Sequence, residues 1–115
     1  MVARRLLCLL LVCCALLVGC SGSGMGTVRE SQLPVEARRT LTLIDQGGPF
    51  PYAKDGSVFG NYEHELPEQR RGYYHEYTVP TPGSRDRGAR RLVTGDERET
   101  YYTDDHYESF KEVLR

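Results

Sequence analysis

Only one segment of this chain has the pattern of an amphipathic helix, and it cannot bury its own apolar stripe. Leu33-Pro34-Val35 opens it, with Pro34 near the first helical position, where a missing N–H costs nothing. Glu36 places a negative charge in the first turn, which suits the helix dipole. Ala37, Leu41 and Ile44 recur at helical spacing, Leu43 widens the stripe, and Arg38 and Arg39 face outward. Gly47-Gly48-Pro49 ends the helix, a glycine supplying the left-handed cap. Most helical stability comes from packing of the apolar face, so this stripe needs a sheet to cover.

The rest of the sequence supplies that sheet. All eight Tyr and all three Phe fall at or after Phe50, and the segments there are short. Phe50-Pro51-Tyr52 reads as extended, Lys54-Asp55-Gly56 as a turn and Ser57-Val58-Phe59 as a short strand. Gly60-Asn61-Tyr62-Glu63 reads as a loop, and Leu66-Pro67 and Arg71-Gly72 bound another. Tyr73 to Val79 is β-branched and aromatic, which predicts a strand. Further strands are expected near 90–94, 99–103 and 107–113. One helix followed by several strands predicts the α+β class, with one main helix packed on a twisted antiparallel sheet.

The N-terminus reads differently. Residues 1–20 have a basic start at Arg4 and Arg5 and an apolar run from Leu6 to Val18, too short for a transmembrane helix and typical of a signal peptide. The run ends Leu17-Val18-Gly19-Cys20, which resembles the lipobox of bacterial lipoprotein precursors, with Cys20 as the lipidated thiol. Ordinary secretory cleavage with soluble release is the alternative. Residues 21–27, rich in Gly and Ser, read as a flexible tether, and the folded domain is expected over 28–115. Cys8, Cys13, Cys14 and Cys20 all precede that domain, so it has no disulfide framework. Removing Arg4 and Arg5 from the 15 Lys and Arg leaves about 13 against 16 acidic residues, a poor balance for an avid non-specific nucleic-acid binder. A local basic cleft remains compatible with that sign.

Several residue types point to acid–base chemistry on an anion. Tyr74, Glu76 and Thr78 share one strand face, while Tyr73, His75, Tyr77 and Val79 share the other. Glu76 is thus a strand carboxylate, either solvated or a general base. Arg85, Arg87, Arg90 and Arg91 follow a Pro/Gly turn. A guanidinium forks onto two phosphate oxygens and cannot deprotonate, which suits a phosphate clamp. Arg91 shares a face with Val93 and Arg90 lies opposite, so one of that pair enters a given cleft. His106 near neutral pH can donate a proton to a leaving oxygen. In the loop, Asn61 and Glu63 carry an amide and a carboxylate, with Phe59 and Tyr62 available to stack on a base. A carboxylate accepting two N–H donors fits the Watson–Crick edge of guanine. His64, His75 and His106 form no pair at metal-ligand spacing, and no thiols remain to help, so no metal and no cofactor is expected.

From about Leu33 to Phe110 the chain resembles the barnase-like family of small guanyl-specific microbial ribonucleases, most of all its secreted actinobacterial branch. The matching blocks are Gly48 through Tyr52, Asp55 through Phe59, Asn61-Tyr62-Glu63, Gly72 through Val79, Thr81-Pro82-Gly83, Arg90-Arg91 and Asp105-His106-Tyr107. Each is weak alone; together, in order and at nearly the right spacing, they are specific. The resemblance implies that Glu76 takes the proton of the ribose 2′-OH and that His106 protonates the 5′-leaving oxygen. It implies that Arg87 and Arg91 bind the scissile phosphate with Tyr107 beside it. It also implies that Glu63 accepts hydrogen bonds from guanine, while backbone groups of Phe59, Gly60, Asn61 and Tyr62 read the rest of its edge.

The implied partners are single-stranded RNA and a barstar-like protein inhibitor, for a monomer that meets a membrane only through a lipid on Cys20. The implied location is extracellular or at the cell surface. Two departures stand out. The position of Tyr62 is commonly Arg in bacterial relatives, and the disulfide of the actinobacterial branch has no counterpart, a loss worth about 2–5 kcal/mol unless packing compensates. The rival from another class is a non-catalytic exported module that binds RNA, a nucleotide or a protein on the same scaffold.

Overall fold

The computed structural model describes residues 24–115. The expected signal peptide, Cys20 and the first half of the tether therefore lie outside the described residues. Six strands form a single sheet: β1 (Gly26–Arg29), β2 (Ser57–Phe59), β3 (Tyr74–Thr78), β4 (Arg91–Thr94), β5 (Thr100–Thr103) and β6 (Lys111–Leu114). A 3-10 turn (Glu30–Gln32) and one α-helix, α1 (Val35–Gln46), lie between β1 and β2. The spatial order is β1-β6-β5-β4-β3-β2.

The sheet corrects the sequence reading in two places. β1 begins at Gly26, inside the expected tether, and it pairs parallel to β6, so the sheet is antiparallel only from β6 through β2. Four residues with glycine at the start carry too little alternation to read as a strand; pairing with the edge of β6 makes them one. The last strand is also displaced: 107–110 stays in a loop and β6 starts at Lys111. The helix follows the expectation closely. Pro34 sits just before its first turn, and Gly47 ends it at φ 79°, where its N–H bonds to the Ile44 carbonyl.

Alternation along the strands divides the molecule into two apolar layers. On one face, Leu92, Tyr102 and Val113 meet Leu33, Ala37 and Leu41 of the helical side, with Val79 joining them. On the other, Tyr74, Val93 and Tyr101 pack with Tyr73, Leu66 and Phe110, with Phe59 and Tyr107 against them. The second layer has no helix over it and is built largely of aromatic rings in tilted and edge contacts, such as Tyr73–Tyr74 at 4.9 Å and Tyr74–Tyr101 at 6.2 Å. The face away from α1 is therefore open to be lined by loops, and that is where the chemically suggestive residues gather.

Candidate active site

β3 and β4 bring the first charged groups together by register. Thr78 lies opposite Arg91, and Glu76 lies between Ser57 on β2 and Val93 on β4. Glu76, Thr78, Arg91 and Val93 thus share the face away from the helix. Arg87, from the loop before β4, reaches back over this face: its Nη1 lies 3.9 Å from Glu76 Oε1 and donates to the Thr78 hydroxyl at 3.0 Å. Arg91 is 2% exposed, a burial that the sequence does not reveal. Its Nη1 donates to the carbonyls of Arg90 at 2.7 Å and Gly88 at 3.1 Å, so the loop fastens the guanidinium through main-chain acceptors.

His106 enters from the β5–β6 loop. Thr103 at the end of β5 accepts from the Tyr107 N–H at 3.1 Å and donates to Asp105, whose carboxylate also takes the Ser109 N–H and hydroxyl. The Ser109 hydroxyl is the main reason the Asp105 carboxyl is held below its ordinary range. The His106 N–H bonds to the Ala89 carbonyl at 3.0 Å, tying this loop to the arginine loop. His106 (φ 54°) and Tyr107 (φ 73°) both take the left-handed conformation. Two adjacent non-glycine residues in that region carry backbone strain, held by the surrounding bonds.

The loop after β2 completes the ring. Phe59, Asn61, Tyr62, Glu63, Glu65, Glu76, His106 and Tyr107 line one pocket of about 290 Å³. Seven of these eight were singled out from the sequence; Glu65 was not, because nothing in Glu63-His64-Glu65 says that both carboxylates border one pocket. The Phe59 ring packs on Tyr107 at 4.8 Å and forms a floor rather than an exposed stacking surface. Asn61 (φ 52°) is buried, and its side-chain amide bonds to the backbone of Leu66, through Nδ2 at 3.0 Å and Oδ1 at 3.1 Å. These two bonds shape the loop. Tyr62 is 76% exposed, its ring lies against Gly60, and its hydroxyl accepts from Arg71 Nη1 at 3.2 Å.

Two buried polar atoms at this site lack a partner among the described residues: Arg91 Nε and the Tyr107 hydroxyl. Burial first, then the negative charge of Glu76, pushes the Tyr107 phenol up to about 12, so it remains a donor at neutral pH. Leaving such groups unsatisfied costs about 1–3 kcal/mol each, which an anionic ligand accepting from both would relieve. A carboxylate, an imidazole and unpaired donors around one pocket are the components of phosphoryl-transfer chemistry.

Comparison with known proteins agrees with this architecture. A family model described as ribonuclease matches residues 18–114. Guanyl-specific ribonuclease St of Saccharopolyspora erythraea is 58% identical over 89 residues, 77% of this chain and 88% of that protein. Guanyl-specific ribonuclease Sa of Kitasatospora aureofaciens is 60% identical over 86 residues, 74% of this chain and 90% of the relative. Among solved structures, ribonuclease Sa2 in complexes with mononucleotides superposes with a TM-score of 0.80 at 49% identity, covering 82% of this chain and 98% of that one. Ribonuclease Sa2 with guanosine-2′-cyclophosphate gives 0.76 at 49% identity, over 79% and 97%. With one family matched across nearly every described residue and the same fold in the solved structures, this chain belongs to the ribonuclease family.

Proposed function

We propose that this enzyme is a guanine-preferring endoribonuclease in which Glu76 and His106 transfer the protons. The observation that carries the assignment is that both side chains line a single pocket, with Arg87 3.9 Å from Glu76. Relatives of about the same length are named guanyl-specific ribonucleases, which supports the same base preference here. RNA brings its own nucleophile. Glu76 accepts the 2′-OH proton, the 2′-oxygen attacks phosphorus, and the P–O5′ bond breaks as His106 protonates the leaving oxygen. The product is a 2′,3′-cyclic phosphate. Water then opens it with the roles exchanged, His106 now the base and Glu76 the acid. Arg87, Arg91 and the Tyr107 hydroxyl stabilise the charge that develops on the phosphate oxygens. Glu63 accepts from the guanine edge, main-chain groups of Phe59 through Tyr62 read the remainder, and Tyr62 covers the base.

This scheme needs no metal, since base, acid and positive charge all come from side chains. The deciding assay is GpU incubated with the folded domain in the presence of a chelator. Guanosine 2′,3′-cyclic phosphate is expected, dGpdU should stay intact, and an unreacted GpU would leave only the binding-module reading.

The address and partners belong to the same proposal. The apolar leader and the Leu17-Val18-Gly19-Cys20 run support export and lipid attachment at Cys20. The mass of the exported protein tests this: acyl chains on Cys20 are expected, and an unmodified new N-terminus would mean free release. The enzyme acts as a monomer, which light scattering checks. A cationic phosphate site of this kind also suits a protein inhibitor with an acidic surface, and such an inhibitor should compete with GpU.

A further inference from the structure

The two arginines beside Glu76 are fastened in different ways. Arg91 is buried and bound to carbonyls of its own loop. Arg87 is partly exposed, and its side chain makes one close hydrogen bond among the described residues, to Thr78 Oγ1 at 3.0 Å. A long flexible guanidinium held this way is only as well placed as its acceptor. Thr78 is 2% exposed and is held from three sides. Its N–H donates to Asp55 Oδ1 at 2.7 Å, its carbonyl accepts from the Thr40 hydroxyl of α1 at 3.4 Å, and it stands opposite Arg91 in the β3–β4 ladder. Asp55 is itself tied down, its Oδ2 accepting from the Tyr52 N–H at 3.1 Å.

We infer that Thr78 is a positioning residue for the reaction: its buried hydroxyl, carried on a main chain that Asp55 and Thr40 clamp, sets Arg87 beside Glu76. The inference rests on the nuclease reading above. Without the hydroxyl, Arg87 keeps its charge and loses its geometry, because the remaining contact with Glu76, at 3.9 Å, is a loose ion pair rather than a directed bond. A catalytic charge displaced by about 1 Å can cost as much as 10²-fold in rate. Glu76 sits two residues along the same strand face, so Thr78 holds the arginine at the right height above the base.

The test compares Thr78→Val, which keeps shape and backbone bonds, with Thr78→Ser, which restores a hydroxyl. On GpU, Thr78→Val is expected to lower kcat by about ten-fold or more with a smaller change in KM, and Thr78→Ser to recover most of it. In an Arg87→Gln background the Val substitution should cost less than about two-fold, since non-additivity marks a shared action. A folded Thr78→Val enzyme with wild-type kcat, or one that loses as much in the Arg87→Gln background, overturns the inference. A second readout needs no variant: the Arg87 Nη protons of the wild-type protein should be resolved by NMR as a rotationally restrained group. A freely rotating guanidinium there overturns it as well. An inactive wild type would instead sink the nuclease reading, so the two failures are distinguishable.

Discussion

Glu76 and His106 stand on segments thirty residues apart, and each is oriented by a different device. Glu76 is fixed by strand register, whereas His106 is fixed by a left-handed turn pinned to Ala89 and Thr103. Glu76→Gln and His106→Gln should each lower GpU cyclisation by about 10²–10⁴-fold, as removal of an acid or base usually does. Neither change touches the core, so the melting temperature should stay close to that of the wild type, and full turnover in either variant would remove that residue from the scheme. Gly60 carries a second test. A Cβ there would meet Tyr62 ring carbons at 2.5 Å, while Gly60 itself is absent from the positive-φ positions. Gly60→Ala should therefore move the exposed Tyr62 ring without straining the backbone. A several-fold rise in KM for GpU with stability changed by less than about 1 kcal/mol is expected. An unchanged KM would mean that the resting place of Tyr62 has nothing to do with base binding.

At the scale of elements, the helix and the site occupy opposite faces of the sheet, and that separation is itself testable. Leu41 is fully buried between α1 and the strands, in the layer with Leu92 and Val113. Leu41→Ala should cost about 2–5 kcal/mol, seen in denaturant unfolding, while KM for GpU, measured well below the midpoint, stays within about two-fold. A large KM change at full folding would show that the two layers are coupled. The helix was legible because apolar spacing, Pro34 and Gly47 all agree along one segment. β3 was legible because aromatic and β-branched residues flank its one carboxylate, Glu76. β1 was not, since its four residues gain strand character only from β6, far away in the chain. The same reason hid the roles of Thr78 and Asp55 and the place of Glu65 at the pocket: each depends on which distant segment arrives beside it. Most residues that line the pocket were singled out by residue type and family resemblance rather than by helical periodicity. Asn61 was visible as a loop residue, but that its amide holds Leu66 appears only once the loop closes.

At the scale of the whole molecule, an exposed ion-pair cluster joins both ends of the described fold. Arg115, next to β6, reaches Asp45 near the end of α1 at 2.6 Å and Glu30 in the 3-10 turn after β1 at 3.1 Å. It thereby ties the parallel edge of the sheet to the far end of the helix. The Arg115 hydrogen bond is the principal cause that holds the Asp45 carboxyl below its usual value of 3.8. A carboxyl whose folded value is depressed contributes stability that is fully present above the unfolded value and is lost as pH falls through the folded one. Both Asp45 and Arg115 are more than a third exposed, at 52% and 35%, so solvent screening keeps the contribution within about 0.2–1 kcal/mol. Arg115→Ala should thus lower stability by up to about 1 kcal/mol at pH 6 and low salt. The gap should shrink in 1 M salt and close as pH drops below 3.8, where Asp45 protonates and the bond is lost in the wild type too. Urea unfolding of both proteins across that range provides the check. A gap that persists undiminished in acid would mean that Arg115 acts through its packing against the helix end and not through its charge.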